Sequence, residues 1–314
     1  MADSNRTAIA ALVALLAALV LALASCGDDD AGSSAAAAPP PADSSGDFDE
    51  QRAWRLIKLQ LRYGQRPAGS PQLRRLGVKL RDRMPDGKFE RIPGEPKLRN
   101  IVSVVPGELP ALVVGAHYDT LREPKGFQGA NNGAAGSAAV VELARELAAE
   151  DRPAGAHQVR FVLFDGEEPA KGLPEEQTDF YSSGLRGSRA YVDRHGDEVG
   201  AMILLDYIAG EGLSLPREGS STPELWDEIR AGAQRAGVAR VFPDRIGPTI
   251  TDDHTPFLRA GIPAVDLIDW DYPGHELSDT LDALSIDSLD ASGETVHEAI
   301  EAVAAPSGGQ GGGN

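Results

Sequence analysis

Val159-Arg160-Phe161-Val162-Leu163-Phe164-Asp165-Gly166-Glu167-Glu168 is the stretch on which the fold turns. Its apolar run, Phe161 to Phe164, is short and β-prone, which predicts a buried strand. The run stops abruptly in Asp165-Gly166-Glu167-Glu168. A strand that ends in carboxylates delivers charge to the C-terminal edge of a sheet, where open α/β folds bind their ligands. Two adjacent carboxylates repel, so the pair calls for a cation or a shared proton. Taken alone, D-G-E-E is an ordinary acidic turn, and the rest of the chain has to decide.

The same pattern recurs. Leu112-Val113-Val114-Gly115-Ala116 runs into His117-Tyr118-Asp119, and Ala201 to Ile208 carries Asp206 near its end. Ile262 to Ile268 is followed by a loop, Asp269 to His275. Asn100 to Val105 reads as another strand, joined to the His117 strand by the turn Pro106-Gly107-Glu108. Helical spacing is read around Trp54 to Leu61, Leu73 to Met84, Ser137 to Ala149, Leu185 to His195, Thr222 to Ala236 and Ile286 to Ala304. Pro169 to Ser183 is polar and reads as a loop over the site, and Thr251 to Phe257 as a polar loop entering a short helix. Strands alternating with helices predict an α/β fold with a mostly parallel sheet. In such a sheet the strand ends share one edge, so His117, Asp119, Glu167, Glu168, Asp206 and His275 converge. Histidine with carboxylates is the ligand set of a catalytic zinc site, and one acid of a pair can bind the ion while its neighbour acts as a base.

Composition sets limits. The chain has 314 residues, a net charge of −18 and 41% hydrophobic residues. Such acidity argues against a nucleic-acid partner, because phosphate contacts need clustered Lys and Arg. Cys26 is the single cysteine, so an internal disulfide and a thiolate metal cage are excluded.

The first 25 residues read as a targeting segment: Arg6 precedes an uncharged apolar run, Ala8 to Ala24. The run closes as Leu23-Ala24-Ser25-Cys26, which resembles a bacterial lipoprotein box with Cys26 as the lipidated residue. Residues 27–46 are Asp, Ala, Ser, Gly and Pro and read as a disordered tether. The expected location is therefore extracytoplasmic, held to the membrane through the lipid only. The catalytic domain is placed at 47–305 and a flexible tail at 306–314.

Seven motifs in order carry a family resemblance. They are G-A-H-Y-D-T at 115–120, G-A-N-N-G-A at 129–134, F-D-G-E-E at 164–168, L-R-G-S-R-A at 185–190, L-L-D at 204–206, T-D-D-H-T-P-F-L at 251–258 and H-E-L-S-D-T at 275–280. Over about residues 48–304 the chain resembles the M28 zinc peptidase family, and within it the glutaminyl-peptide cyclotransferases. The resemblance implies a three-layer sandwich with a mixed, mostly parallel central sheet, and peptide or protein N-termini as substrates. It implies Glu167 as general acid/base, and Glu168 and His275 as ligands of one zinc. His117 and Asp206 match the ligands of a second zinc in the two-metal aminopeptidases. In the cyclotransferases the acid matching Asp206 joins a hydrogen-bonded network with those matching Glu167 and Asp253. Asp119 matches an acid that orients His117.

Three positions depart from the family. Asn132 stands where the family has a metal-binding aspartate. An amide oxygen is a neutral, poorer ligand, and two Zn²⁺ ions about 3.5–4 Å apart need bridging negative charge. One zinc is therefore expected rather than two. Gly274 replaces the tryptophan usual before the histidine in the cyclotransferases, with Trp270 and Tyr272 as possible substitutes, and Glu276 replaces the usual threonine. The expected activity is conversion of N-terminal glutamine to pyroglutamate. A zinc aminopeptidase and a lipid-anchored binding protein that has lost its metal are the alternatives. His157, His195 and His297 read as surface residues, His254 as structural, and Trp54 and Trp226 as core; for Asp253 a helix N-cap is the competing reading.

Overall fold

The structure is a computed structural model that describes residues 47–170 and 177–306. The leader, the Cys26 lipidation site, the tether and all but the first residue of the tail lie outside the described residues. Among the described residues no helix is long and apolar enough to cross a membrane.

The elements follow the alternation read from the sequence. Helices α1 (Glu50–Leu61) and α2 (Pro71–Arg81) come first, then strands β1 (Lys88–Ile92), β2 (Glu95–Val105) and β3 (Glu108–His117). After them come α3 (Gly136–Leu147), β4 (His157–Phe164), α4 (Gln177–Ser183), α5 (Arg186–His195) and β5 (Val199–Asp206). The chain ends with α6 (Pro223–Arg235), α7 (Thr255–Arg259), β6 (Ala264–Ile268) and α8 (Ile286–Val303). Three of the helices begin on oxygen caps: Asp49 accepts from Arg52 N, Ser70 from Leu73 N and Ser285 from Ser288 N. Each of these bonds satisfies an amide that the first helical turn leaves unpaired.

The six-stranded sheet has the order β1-β2-β4-β3-β5-β6. β4, β3, β5 and β6 run parallel, and β2 and β1 are antiparallel additions at one side. This is the expected mixed, mostly parallel sheet. Alternate residues feed two cores, as the strand's two-residue period requires. Leu112, Val114, Phe161, Leu163, Ile203 and Leu205 join α1, α2, α3, α6 and α8 on one face. Val113, Val162, Phe164, Met202 and Leu204 meet Tyr191 of α5 and Phe257 of α7 on the other.

The tight turn between β2 and β3 stands as read, and β4 lies between the two strands in the sheet. Some expectations are corrected. β1 escaped the sequence reading. It is an edge strand whose Phe89 ring sits under the guanidinium groups of Arg81 and Arg99, so charge hides its alternation. The segment 169–183 is not loop throughout, since it contains α4. His297 is not a surface residue: it is buried in α8, with Nε2 2.7 Å from Glu150 Oε1. His157 and His195 are half-buried, and His195 pairs with Glu90.

Candidate active site

The parallel strands bring the predicted residues to one edge. His117 is the last residue of β3, Glu167 and Glu168 follow β4, and Asp206 ends β5. The imidazole of His117 stands among three of the acids. Nδ1 is 3.7 Å from Asp119 Oδ1 and 3.7 Å from Glu167 Oε2, and Nε2 is 3.6 Å from Asp206 Oδ1. All four side chains are buried. Burial alone would lower the His117 pKa, but Glu167, Asp119 and Asp206 outweigh it and push it well above the ordinary histidine value.

Asp119 holds the D-G-E-E turn. Its Oδ1 accepts from the amides of Gly166 (3.1 Å) and Glu167 (3.2 Å), and its Oδ2 from that of Glu168 (3.3 Å). Its carboxylate is thus committed to the turn more than to His117, whose Nδ1 lies beyond hydrogen-bond range. From the other side Arg186 donates through Nε to Gly166 O (3.1 Å) and through Nη2 to Glu168 O (2.6 Å). The L-R-G-S-R-A motif therefore braces the turn, and its Ser188 hydroxyl donates to Asp253 Oδ1.

Burial raises the acids, and their mutual repulsion adds to it. Glu167 lies well above the usual carboxylate range, first from burial and then from Glu168, Asp252 and Asp253, with His117 opposing. Glu168 is pushed up to about 8 by burial and Asp119, while His117 and the Asn132 amide favour its ionised form. Asp253 is raised well above its ordinary value by burial and by Asp252. Asp253 is not a helix cap: the residue preceding α7 is His254, and no side chain caps that helix.

Asn132 sits in a π-type turn, Ala130–Ala135, that breaks at Asn132 and Gly133. Gly133 has φ +89°, and a Cβ there would fall 2.5 Å from Asp119 O, so only glycine lets the turn pass so close to β3. Asp279, of the motif around His275, accepts from the amides of Asn131 (2.7 Å) and Asn132 (3.1 Å). The Asn132 Nδ2 donates to Tyr207 Oη and to Gly274 O, each at 3.2 Å. His275 is half-buried, its ring edge-on to Tyr207 with centroids 6.2 Å apart. Burial lowers its pKa, with Asp206 opposing, which favours the neutral, ligating form.

Among the described residues no three His, Cys, Asp or Glu side chains form a ready cation cage. The ligands that the family resemblance implies here are Glu168 and His275, with the Asn132 amide standing where the family has a third. Both Glu168 oxygens, the Asn132 Oδ1 and the Asp253 Oδ2 are buried without a hydrogen-bond partner. Buried acceptors without donors are costly, and a cation would satisfy them. The residues therefore fit a divalent ion beside Glu168.

Sequence reasoning missed four contributors. Asp252 is pushed up to about 6 by burial and by Asp206, and it precedes Asp253 among the acids that raise Glu167. Tyr207 reaches Asn132, and Asp279 anchors its backbone. Fully buried Arg66 donates to Gln128 O (2.6 Å) and Gly129 O (2.8 Å), fixing the approach to the Asn132 turn. Asp252 and Asp279 lie inside quoted motifs, so a signal existed for them; Arg66 and Tyr207 are placed by topology alone.

A fold of this kind, with acids and histidines gathered at the strand ends, is that of a metallopeptidase-like α/β protein. Peptidase family M28 matches residues 100–300, and the chain belongs to that family. It is similar to the glutaminyl-peptide cyclotransferase of Bos taurus, 29% identical over 231 residues, which cover 60% of this chain and 63% of that one. The chain thus spans about three fifths of the length of the curated relatives it matches. Among solved structures it resembles the glutaminyl cyclase of an Acidobacteriales bacterium at 26% identity and TM-score 0.70, covering 82% of this chain and 95% of that one. A Zn-dependent exopeptidase from Parabacteroides distasonis, at 22% identity and TM-score 0.69, covers 81% of this chain and 98% of that one. That last likeness bears on the fold.

Proposed function

We propose that the protein is a zinc-assisted glutaminyl cyclase, converting N-terminal glutamine of peptides or proteins to pyroglutamate with release of ammonia. The observation that carries this reading is Glu167, 3.7 Å from His117, its pKa raised by burial and then by the acids around it, next to a Glu168 whose oxygens lack partners. The names of the relatives point the same way. Glu168, His275 and the Asn132 oxygen would hold one zinc. When bound, zinc supplies polarisation of the γ-amide carbonyl.

The chain's own groups do the rest. Glu167 takes a proton from the attacking α-amine. The amine nitrogen bonds to the γ-carbonyl carbon, the carbon–nitrogen bond of the amide breaks, and Glu167 returns the proton to the departing ammonia. A pKa raised above the usual carboxylate range suits a group that must both accept and donate a proton. Asp206, Asp252 and Asp253 hold the surrounding charge. An M28-type aminopeptidase would use the same residues to activate water, and membership of peptidase family M28 keeps it as the second reading.

The test is ammonia release from a peptide with N-terminal glutamine by the zinc-loaded domain, with Glu167→Gln as control. Release that the control abolishes supports cyclisation. Free amino acid from the N-terminus, with no ammonia, supports the aminopeptidase. Neither product from a loaded domain overturns both.

A further inference from the structure

Positive charge is gathered at one end of this acidic chain. Between Glu50 and Arg83 stand ten Lys or Arg and two Asp or Glu, in a protein of net charge −18. On α1, Arg55, Lys58 and Arg62 are exposed and recur at three- and four-residue spacing, which puts them on one side of the helix. On α2, Arg75 and Lys79 are exposed four residues apart, and exposed Arg83 follows the helix end. Like charges at this spacing repel. Among the described residues none of these six has an ion-pair partner. The acids nearby are already engaged: Asp49 and Glu142 pair with Arg52 at 3.0 and 2.7 Å, and Asp82 pairs with Arg81. Arg55, Arg62 and Arg83 meet around one cleft of about 320 Å³, where Leu56, Leu59 and Val141 supply apolar lining. The cleft thus joins the row on α1 to the end of α2. Acids farther off do not cancel the patch, because salt at 0.1 M screens charge beyond about 10 Å.

Unpaired arginines of this kind fit phosphate, and the direction from which the chain enters selects its source. α1 follows residues 27–46, the tether expected from the sequence, with Cys26 and the apolar run Ala8 to Ala24 beyond it. We propose that the exposed face of α1 and α2 docks on a bilayer of anionic phospholipid, with Arg55, Arg62 and Arg83 receiving headgroup phosphates at the cleft. The face alone holds weakly and reversibly, and it adds a second attachment to the lipid expected at Cys26. The proposal is independent of the zinc reading.

The experiment is co-sedimentation of residues 47–314, whose sheet and cores are complete without the leader. One set of vesicles is equal parts phosphatidylglycerol and phosphatidylcholine, the other phosphatidylcholine alone. Wild type is expected to bind the anionic vesicles at least about tenfold more tightly, less so as salt rises. Arg55→Glu, Arg62→Glu and Arg83→Glu combined are expected to weaken that binding at least about tenfold. Reversing three exposed arginines elsewhere, Arg240→Glu, Arg245→Glu and Arg259→Glu, is expected to change it less than about threefold. Circular dichroism and thermal unfolding verify the fold of each variant. No binding, no preference for the anionic vesicles, or an equal loss in both triple variants overturns the proposal. Retention of an oligonucleotide by a domain that ignores the vesicles also overturns it and assigns the face to nucleic acid.

Discussion

The imidazole Nε2 of His254 lies 3.3 Å from Glu218 Oε2, and neither side chain reaches solvent. On the far side of the ring, Nδ1 is 3.5 Å from Asp266 Oδ2 in the middle of β6. Glu218 also accepts from the amides of Ser220 and Ile250, both at 2.9 Å, and from the Ser221 hydroxyl. His254 follows Asp252 and Asp253 directly, so this pairing moors the loop that carries two of the site's acids. Removing one member of a buried pair leaves the other uncompensated. Glu218→Gln should cost about 3 kcal/mol of stability, read as a shifted midpoint in urea unfolding.

Glu218 also gives stability a defined pH dependence. Against the opposing effect of burial, His254 and the backbone donors hold its pKa down to about 2, from an ordinary 4.5. A depressed carboxylate contributes fully above its unfolded value and loses that contribution as pH falls through the folded one. Wild type should lose stability between pH 4.5 and about 2 more steeply than Glu218→Gln. Parallel melts over that window check it.

Asp252 has the opposite sign. Its pKa is raised to about 6 from 3.8, chiefly by burial and then by Asp206. Its contribution is present below 3.8 and is lost as pH rises through about 6. In the metal-free protein Asp252→Asn should raise the melting temperature at pH 8 by about 2–4 °C and change it little at pH 3. Scanning calorimetry in chelator measures both.

Gly274 admits no side chain while Tyr207 holds its place. Gly274→Ala should lower stability by about 1–3 kcal/mol through overpacking against the Tyr207 ring. Denaturant melts of the two proteins measure it.

Cys26→Ser should move the protein from the membrane fraction to the soluble one and abolish incorporation of labelled fatty acid. Unchanged fractionation would rule out the lipid anchor expected from the sequence.

The strands and their endings were legible because both signals are local: an apolar run, then a titratable group. His117, Glu167, Glu168 and Asp206 announce themselves this way. Asp266 had a local signal too, as an acid inside the apolar run Ala264 to Ile268, but its partner His254 comes from another loop. Arg66 and Tyr207 carried none, since their importance depends on which segments the sheet order brings alongside. β1 was hidden because half of an edge strand faces water and the ring of Phe89 is covered by the guanidinium groups of Arg81 and Arg99.

The turn from Gly166 to Glu168 is wound around a single carboxylate, that of Asp119. Glu167, the proposed proton-moving acid, and Glu168, its proposed ion-binding neighbour, therefore share one carboxylate anchor. A lineage could not retune the position of one without dragging the other along, so drift at residue 119 would abolish both capacities in a single step and leave no half-competent intermediate.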